Sequence, residues 1–199
     1  MEFIPFPKIA RLSRDVVVTE KIDGTNAQVC IVPKSPNPVL VEPPYTSYND
    51  DFYIMTGSRT RWITPKEDNY GFARWVMDNA SDLLKLGVGS HFGEWWGQGI
   101  QRNYSQTRKR FSLFNVTRWG DPASRPACCD VVPTLYKGPL EDRGVMKGVN
   151  AAMLALKNIG SAAAPGFMKP EGIVVYHPQG NMLLKKTFEK DEAGKEGGA

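Results

Sequence analysis

Histidine, cysteine and long apolar runs are all scarce in this 199-residue chain, and each scarcity removes a class of protein. The only histidines are His91 and His177, so no zinc-finger spacing exists. The three cysteines, Cys30, Cys128 and Cys129, are odd in number and two are adjacent. That argues against a disulfide framework and for a reducing compartment. No apolar stretch is long enough to span a bilayer, and the N-terminus lacks the apolar core of a signal peptide. The expectation is a soluble, cytoplasmic protein with no membrane partner. A large charge excess is also missing: 25 basic residues face 21 acidic ones, for a net charge of +4. This permits a polyanionic partner without demanding one. What is present is enough apolar material for a core, at 41% hydrophobic and 11% aromatic residues.

No internal repeat or clean linker interrupts the chain, so one domain is expected over residues 1–188, with a charged, Gly-rich flexible tail at 189–199. Residues 15–21 and 26–32 read as two strands of a hairpin turning at Asp23-Gly24. Residues 33–50, with five prolines, read as a surface loop. A short strand follows at 52–56. Apolar residues at helical spacing predict helices over 71–86 and 142–158. Strands are expected at 89–95 and 111–117, and a closing hairpin at 171–177 and 181–187 around Gln179-Gly180. The pattern predicts an α+β fold of antiparallel sheets with flanking helices.

The most informative segment is Glu20-Lys21-Ile22-Asp23-Gly24-Thr25-Asn26, held between two predicted strands. A free lysine titrates near ~10.4, so at neutral pH only about one amine in a few thousand is a nucleophile. Burial, nearby cations or a bound metal can favour the neutral amine. A carboxylate beside it acts the other way, so Asp23 makes sense if it binds a metal or orients a ligand. On its own the string also reads as a solvated turn. Four further segments follow. Gly57-Ser58-Arg59-Thr60-Arg61-Trp62 offers Arg59 or Arg61 as a phosphate or ribose clamp, or as solvated loop arginines. Phe92-Gly93-Glu94-Trp95-Trp96-Gly97 sets a glutamate among aromatic residues, where it needs a partner: a ribose hydroxyl, a metal or an internal cation. In Phe111-Ser112-Leu113-Phe114-Asn115-Val116, strand alternation puts Ser112, Phe114 and Val116 on one face, and Phe114 either stacks on a base or fills the core. Finally, Glu171 heads Pro170-Glu171-Gly172-Ile173-Val174-Val175-Tyr176, and Leu183-Leu184-Lys185-Lys186-Thr187 ends in lysines. That pairing suits a metal–phosphate site or an edge salt bridge.

Taken in order, these segments resemble the covalent nucleotidyltransferase superfamily of ATP-dependent ligases and capping enzymes. Within it the wording resembles RNA ligases of the phage nick-sealing kind. Glu-Lys-Ile-Asp-Gly-Thr-Asn, Phe-Gly-Glu, Phe-Ser-Leu-Phe, Glu-Gly-Ile-Val-Val and Leu-Leu-Lys-Lys carry the likeness, which runs from about residue 5 to 188.

The resemblance implies three steps. Lys21 takes AMP from ATP as a lysyl-AMP phosphoramidate, the AMP passes to a 5′-phosphate end, and a 3′-hydroxyl displaces it. By position, it further implies that Glu20 and the backbone at Ile22 contact adenine and that Phe114 stacks on it. Arg59 and Glu94 would hold the ribose, with Asn26 near the phosphate. Glu171, with Asp23, would bind Mg²⁺ or Mn²⁺, and Lys185 and Lys186 would serve the phosphates. The implied partner is RNA with 5′-phosphate and 3′-hydroxyl ends, a nicked duplex or cleaved loop, handled by a monomer in a cytoplasm that is the host's if a phage encodes the chain. Two departures stand out. Family members often read Lys-x-Lys in the last segment, whereas here the aligned pair is Lys185 and Thr187, and alternation turns Lys186 to the other face. The chain also stops soon after that segment, where many relatives append a further domain. The expectation is therefore weak, salt-sensitive RNA binding through Arg102 and Arg108-Lys109-Arg110. A DNA ligase, a GTP-dependent capping-type enzyme and a non-catalytic RNA-binding relative are the alternatives.

Overall fold

The computed structural model describes residues 2–34, 46–47 and 51–189. Most of the expected loop at 33–50, and the tail from residue 190, lie outside the described residues. The strands are β1 (Asp15–Lys21), β2 (Thr25–Pro33), β3 (Thr46–Ser47), β4 (Phe52–Gly57), β5 (Trp62–Ile63), β6 (Gly89–Gly97), β7 (Lys109–Leu113), β8 (Cys129–Val131), β9 (Thr134–Pro139), β10 (Gly172–His177) and β11 (Met182–Thr187). The α-helices are α1 (Phe72–Asp78), α2 (Ala80–Leu83), α3 (Val116–Trp119) and α4 (Lys147–Ile159). The fold is α+β, with sheets that are antiparallel except where β7 meets β8. Among the described residues no helix is long and apolar enough to cross a membrane.

Two compact units divide the chain. One comprises residues up to Ile22 and from Pro133 onward. Its sheet runs β11-β10-β1-β9. Alternate residues of β1 and β10, namely Val16, Val18, Ile173 and Val175, are buried and pack with Val149, Ala152 and Leu156 of α4. The other unit, Asp23–Val132, has the sheet order β3-β4-β2-β6-β7-β8, with β5 on β4. Its core joins Ala27, Val29 and Ile31 to an aromatic cluster built around Phe72, Trp95 and Phe111.

The expected hairpin of β1 with β2 does not form. β1 bonds to β9 and β10, whereas β2 bonds to β4 and β6, so each is an inner strand of its own sheet. Gly24 is not in the left-handed conformation that a tight Asp-Gly hairpin turn requires. It is glycine because of close packing: a Cβ there would lie 2.5 Å from the Trp95 carbonyl oxygen and 2.8 Å from the Trp96 Cβ.

Three other boundaries differ from expectation. The helix over 71–86 breaks at Asn79, whose backbone leaves the helical region at φ −113° and whose amide donates to the Trp75 carbonyl at 2.8 Å. The second helix begins only at Lys147, because Asp142 and Val145 close a turn before it. β7 ends at Leu113 instead of running to 117, since the Asn115 side chain accepts from Arg118 N at 3.0 Å and starts α3. The shared face expected for Ser112, Phe114 and Val116 therefore stops with Leu113. Phe111 is fully buried, with ring centroids 5.0 Å from Phe72 and 5.8 Å from Trp75, while Phe114 is 38% exposed.

Phe111→Ala is expected to cost about 3–5 kcal/mol of stability, the range for emptying a buried aromatic site. Phe114→Ala is expected to cost less than about 1 kcal/mol. Urea unfolding of both variants checks the pair, and equal losses would contradict this placement.

Candidate active site

Lys21 closes β1 where the strand pairs Lys21 with Gly172 of β10. Glu171, one residue before β10, meets it, and Lys21 Nζ donates to Glu171 Oε2 at 2.5 Å. The two side chains are 25% and 18% exposed, so this is a sheltered but solvent-reachable ion pair. The registers put Lys21, Gly172 and Thr187 in one row, and Thr19, Val174 and Lys185 in the next. Paired residues of an antiparallel sheet share a face, so Lys185 and Thr187 lie on the face of Lys21. Lys186 pairs with the buried Ile173 and belongs to the opposite face. Lys185 and Lys186 are both exposed.

Glu20 shares that opposite face, and its surroundings were not legible in the sequence. Its side chain is 1% exposed. Oε1 accepts from the Ser161 hydroxyl at 2.6 Å, and Oε2 accepts from the Ala162 and Ala163 amides at 2.8 and 2.9 Å. Ser161 Oγ in turn accepts from Ala164 N at 3.0 Å. Burial pushes the Glu20 carboxyl above its ordinary range, and the three hydrogen bonds oppose that rise. These bonds engage both carboxylate oxygens within the fold, and Glu20 N donates to the Pro133 carbonyl at 2.9 Å. Ile22 is 3% exposed.

The second unit carries the remaining candidates. Gly24 N donates to Glu94 Oε1 at 3.1 Å, and Asn26 sits opposite Glu94 in the β2–β6 ladder, both half-buried. Trp96 Nε1 donates to Ser112 Oγ at 2.9 Å on the same face. Arg59 and Arg61 lie exposed in the β4–β5 turn, which Ser58 closes by donating to the Arg61 carbonyl from N at 2.8 Å and Oγ at 3.2 Å. Phe114 follows β7, its amide bonded to the Phe92 carbonyl at 3.0 Å.

Asp23 has partners that sequence reading missed. Arg102 Nε donates to Asp23 Oδ2 at 2.8 Å, and Asp23 N donates to the Tyr104 hydroxyl at 2.9 Å. Tyr104 is fully buried, edge-on to Trp96 at 5.3 Å. Arg102 is thus an internal counter-ion, not an open RNA-gripping cation as expected, and it competes with any metal for Asp23. Among the described residues no group of three or more His, Cys, Asp or Glu side chains could hold a metal ion.

The RNA ligase family model matches residues 14–192. No curated protein sequence matches the chain. Solved structures of Naegleria gruberi RNA ligase share its fold. A point mutant with ATP and Mn has a TM-score of 0.61 at 18% identity, covering 89% of this chain and 51% of that one. A mutant with AMP and Mn scores 0.58 at 18% identity, covering 88% and 50%. An apo mutant scores 0.56 at 19% identity, with the same coverage. The chain spans about half the length of these solved relatives.

Glu20→Ala leaves three donors without their acceptor and is expected to lower stability by about 2–4 kcal/mol. In Glu20→Gln the amide oxygen can keep the Ala162 and Ala163 bonds, and the NH₂ can donate to Ser161. Because the folded state holds the Glu20 proton more tightly than the unfolded chain does, this group's contribution is greatest at low pH. It falls as pH rises from the ordinary carboxylate range through the raised value. Denaturant titrations at several pH values should show that decline in the wild type and its loss in Glu20→Gln. An unchanged slope in the variant would contradict the assignment.

Proposed function

The chain belongs to the RNA ligase family, and from that premise we propose that it is an ATP-dependent RNA ligase with Lys21 as its nucleophile and residues 1–188 as its nucleotidyltransferase domain. The observation that carries this reading is the sheltered Lys21 amine at the end of β1, 2.5 Å from the Glu171 carboxylate, with Lys185 on the same sheet face. A surface lysine has no need of such a setting.

In the proposed first step the neutral Lys21 Nζ bonds to the α-phosphorus of ATP, the bridging P–O bond breaks, and pyrophosphate leaves. A 5′-phosphate oxygen of RNA then attacks the same phosphorus, and the P–N bond breaks as the nitrogen regains a proton. The RNA 3′-hydroxyl finally attacks the activated 5′-phosphate and releases AMP. Negative charge gathers on phosphate oxygens throughout, and Lys185 would offset it. Lys186, on the other face, has at most an indirect part.

Glu171 fits the metal role. Mg²⁺ and Mn²⁺ sites at phosphates use one or two carboxylates together with phosphate oxygens and water, so a single protein carboxylate is enough. A divalent ion there would offset phosphate charge. Asp23, paired with Arg102, is better suited to holding Gly24 and its neighbours in place. In the second unit Glu94 and Arg59 would hold the ribose, Asn26 would lie near the phosphate, and Phe114 would stack on adenine. The substrate would be RNA with 5′-phosphate and 3′-hydroxyl ends, joined by a cytoplasmic monomer. The solved relatives with ATP and Mn, or AMP and Mn, support the choice of nucleotide and ion.

Incubation with labelled ATP, GTP or NAD⁺ tests the reading. Label is expected on the protein from ATP alone and is expected to vanish in Lys21→Ala; transfer from GTP would favour a capping-type enzyme. Nicked RNA should be sealed in preference to nicked DNA. Phe114→Ala should weaken ATP binding by about 1–3 kcal/mol, if the range for stacked nucleic-acid bases carries over. ATP affinity unchanged by that substitution would remove Phe114 from the adenine site.

A further inference from the structure

The second unit contains a cavity of about 240 Å³ whose lining takes no part in the chemistry proposed above and whose basic wall is the Arg108-Lys109-Arg110 segment. Arg108, Lys109 and Arg110 line it against a single carboxylate, Asp130. Its other walls include Trp75, Asn79 and Cys128. Arg110 is structural in part: Nε donates to Asp130 Oδ2 at 2.8 Å, and the guanidinium lies over the Trp96 ring at 5.2 Å. Lys109 donates to the Tyr70 carbonyl at 2.6 Å, which uses one of its three ammonium hydrogens. Arg108 is exposed, and among the described residues its guanidinium has no ion-pair partner. Trp75 is half-buried, and Phe72, Trp95 and Phe111 hold its ring at 5.8, 5.1 and 5.8 Å, so it is a fixed platform. Cys128 N is anchored on Asp82 Oδ2 at 2.8 Å, which steadies the opposite wall.

We propose that this cavity docks one nucleotide of the RNA substrate, its phosphodiester on Arg108 and Lys109 and its base against Trp75. The proposal rests on the RNA ligase reading and extends it to a second point of contact. A basic surface beside an aromatic ring is the arrangement that holds nucleic acid without reading its sequence, since every base has a π-face and every nucleotide a phosphate. The volume is below the ~300–1,000 Å³ of pockets that enclose a whole small molecule. That favours a piece of a polymer over a free nucleotide.

Cys128 provides a reporter that does not depend on catalysis. It is half-buried in the cavity wall, while Cys30, also half-buried and on β2, serves as an internal control. Alkylation of each thiol by iodoacetamide would be followed by peptide mass spectrometry with the full chain alone, with a nicked RNA duplex, with ATP and with inorganic phosphate. The RNA is expected to slow alkylation of Cys128 but not of Cys30, and the small anions to have no such effect. Arg108→Glu is expected to remove the protection and to reduce the log–log salt slope of RNA binding by about 0.7–0.9, the value for one phosphate contact. Labelling of Lys21 from ATP, which needs no RNA, reports that the variant is folded. Protection by phosphate or ATP equal to that by RNA would overturn the proposal in favour of a small-anion site. Lys21 labelling and RNA sealing with Cys128 unprotected would overturn the proposal and leave the ligase reading intact. RNA protection of Cys128 without label from any nucleotide would support the docking site and sink the ligase chemistry. Loss of both would sink both.

Discussion

Successive side chains of a strand point to opposite faces, and β1 uses its two faces for incompatible tasks at adjacent residues. Glu20 turns into the core and exchanges hydration for three donors supplied by Ser161, Ala162 and Ala163. Lys21 turns the other way and keeps a quarter of its side chain open to solvent. A buried carboxylate is tolerable only when its lone pairs are met, and meeting them ties the end of β1 to the segment that follows α4. Lys21 inherits that fixed position without giving up its own amine to a structural bond beyond the Glu171 pair. A one-residue slip of β1 would exchange the faces, putting the amine in the core and the carboxylate in water.

Just beyond Lys21, the backbone is held by a different device. Gly24 passes so close to Trp95 and Trp96 that no side chain fits, and its amide is bound by Glu94. Asp23 is gripped by Arg102 and by the Tyr104 hydroxyl. The segment that delivers these two residues is strained: Gln101, Asn103, Tyr104 and Ser105 all have positive φ, between 44° and 60°. Such conformations cost of order 1–3 kcal/mol each for residues other than glycine and persist where packing over-determines them. Here the packing is the buried Tyr104 ring against Trp96. Strain spent on orienting the residues after Lys21 is consistent with a segment that must be rigid before a ligand arrives.

The α+β class, nine strand and helix positions in outline, and the family resemblance carried by the order of the segments were legible because they rest on local signals: alternation, helical spacing and short motifs. Lys186's opposite face followed from alternation alone. The Asp23-Gly24 corner misled because Asp-Gly is a turn signal, and only the position of Trp95 reveals that the glycine serves close packing. The end of β7 misled because Asn115 is neutral as a strand residue until its side chain caps a helix. Arg102 read as an RNA-facing cation because its partner lies 79 residues away. Ser161 carried no signal at all: its partner is 141 residues distant, and a serine after a helix is ordinary. Long-range polar pairs leave no periodicity, so the partners that hold Asp23 and Glu20 were hidden.

The central claim is that β1 presents Lys21, and neither Lys185 nor Lys186, to the nucleotide. Tandem mass spectrometry of peptides from the wild-type chain, after incubation with ATP and Mg²⁺, tests it most directly. The account predicts an AMP adduct on Lys21 alone, labile in acid as a phosphoramidate is. An adduct on Lys185, Lys186 or any other lysine, with Lys21 unmodified, would contradict it.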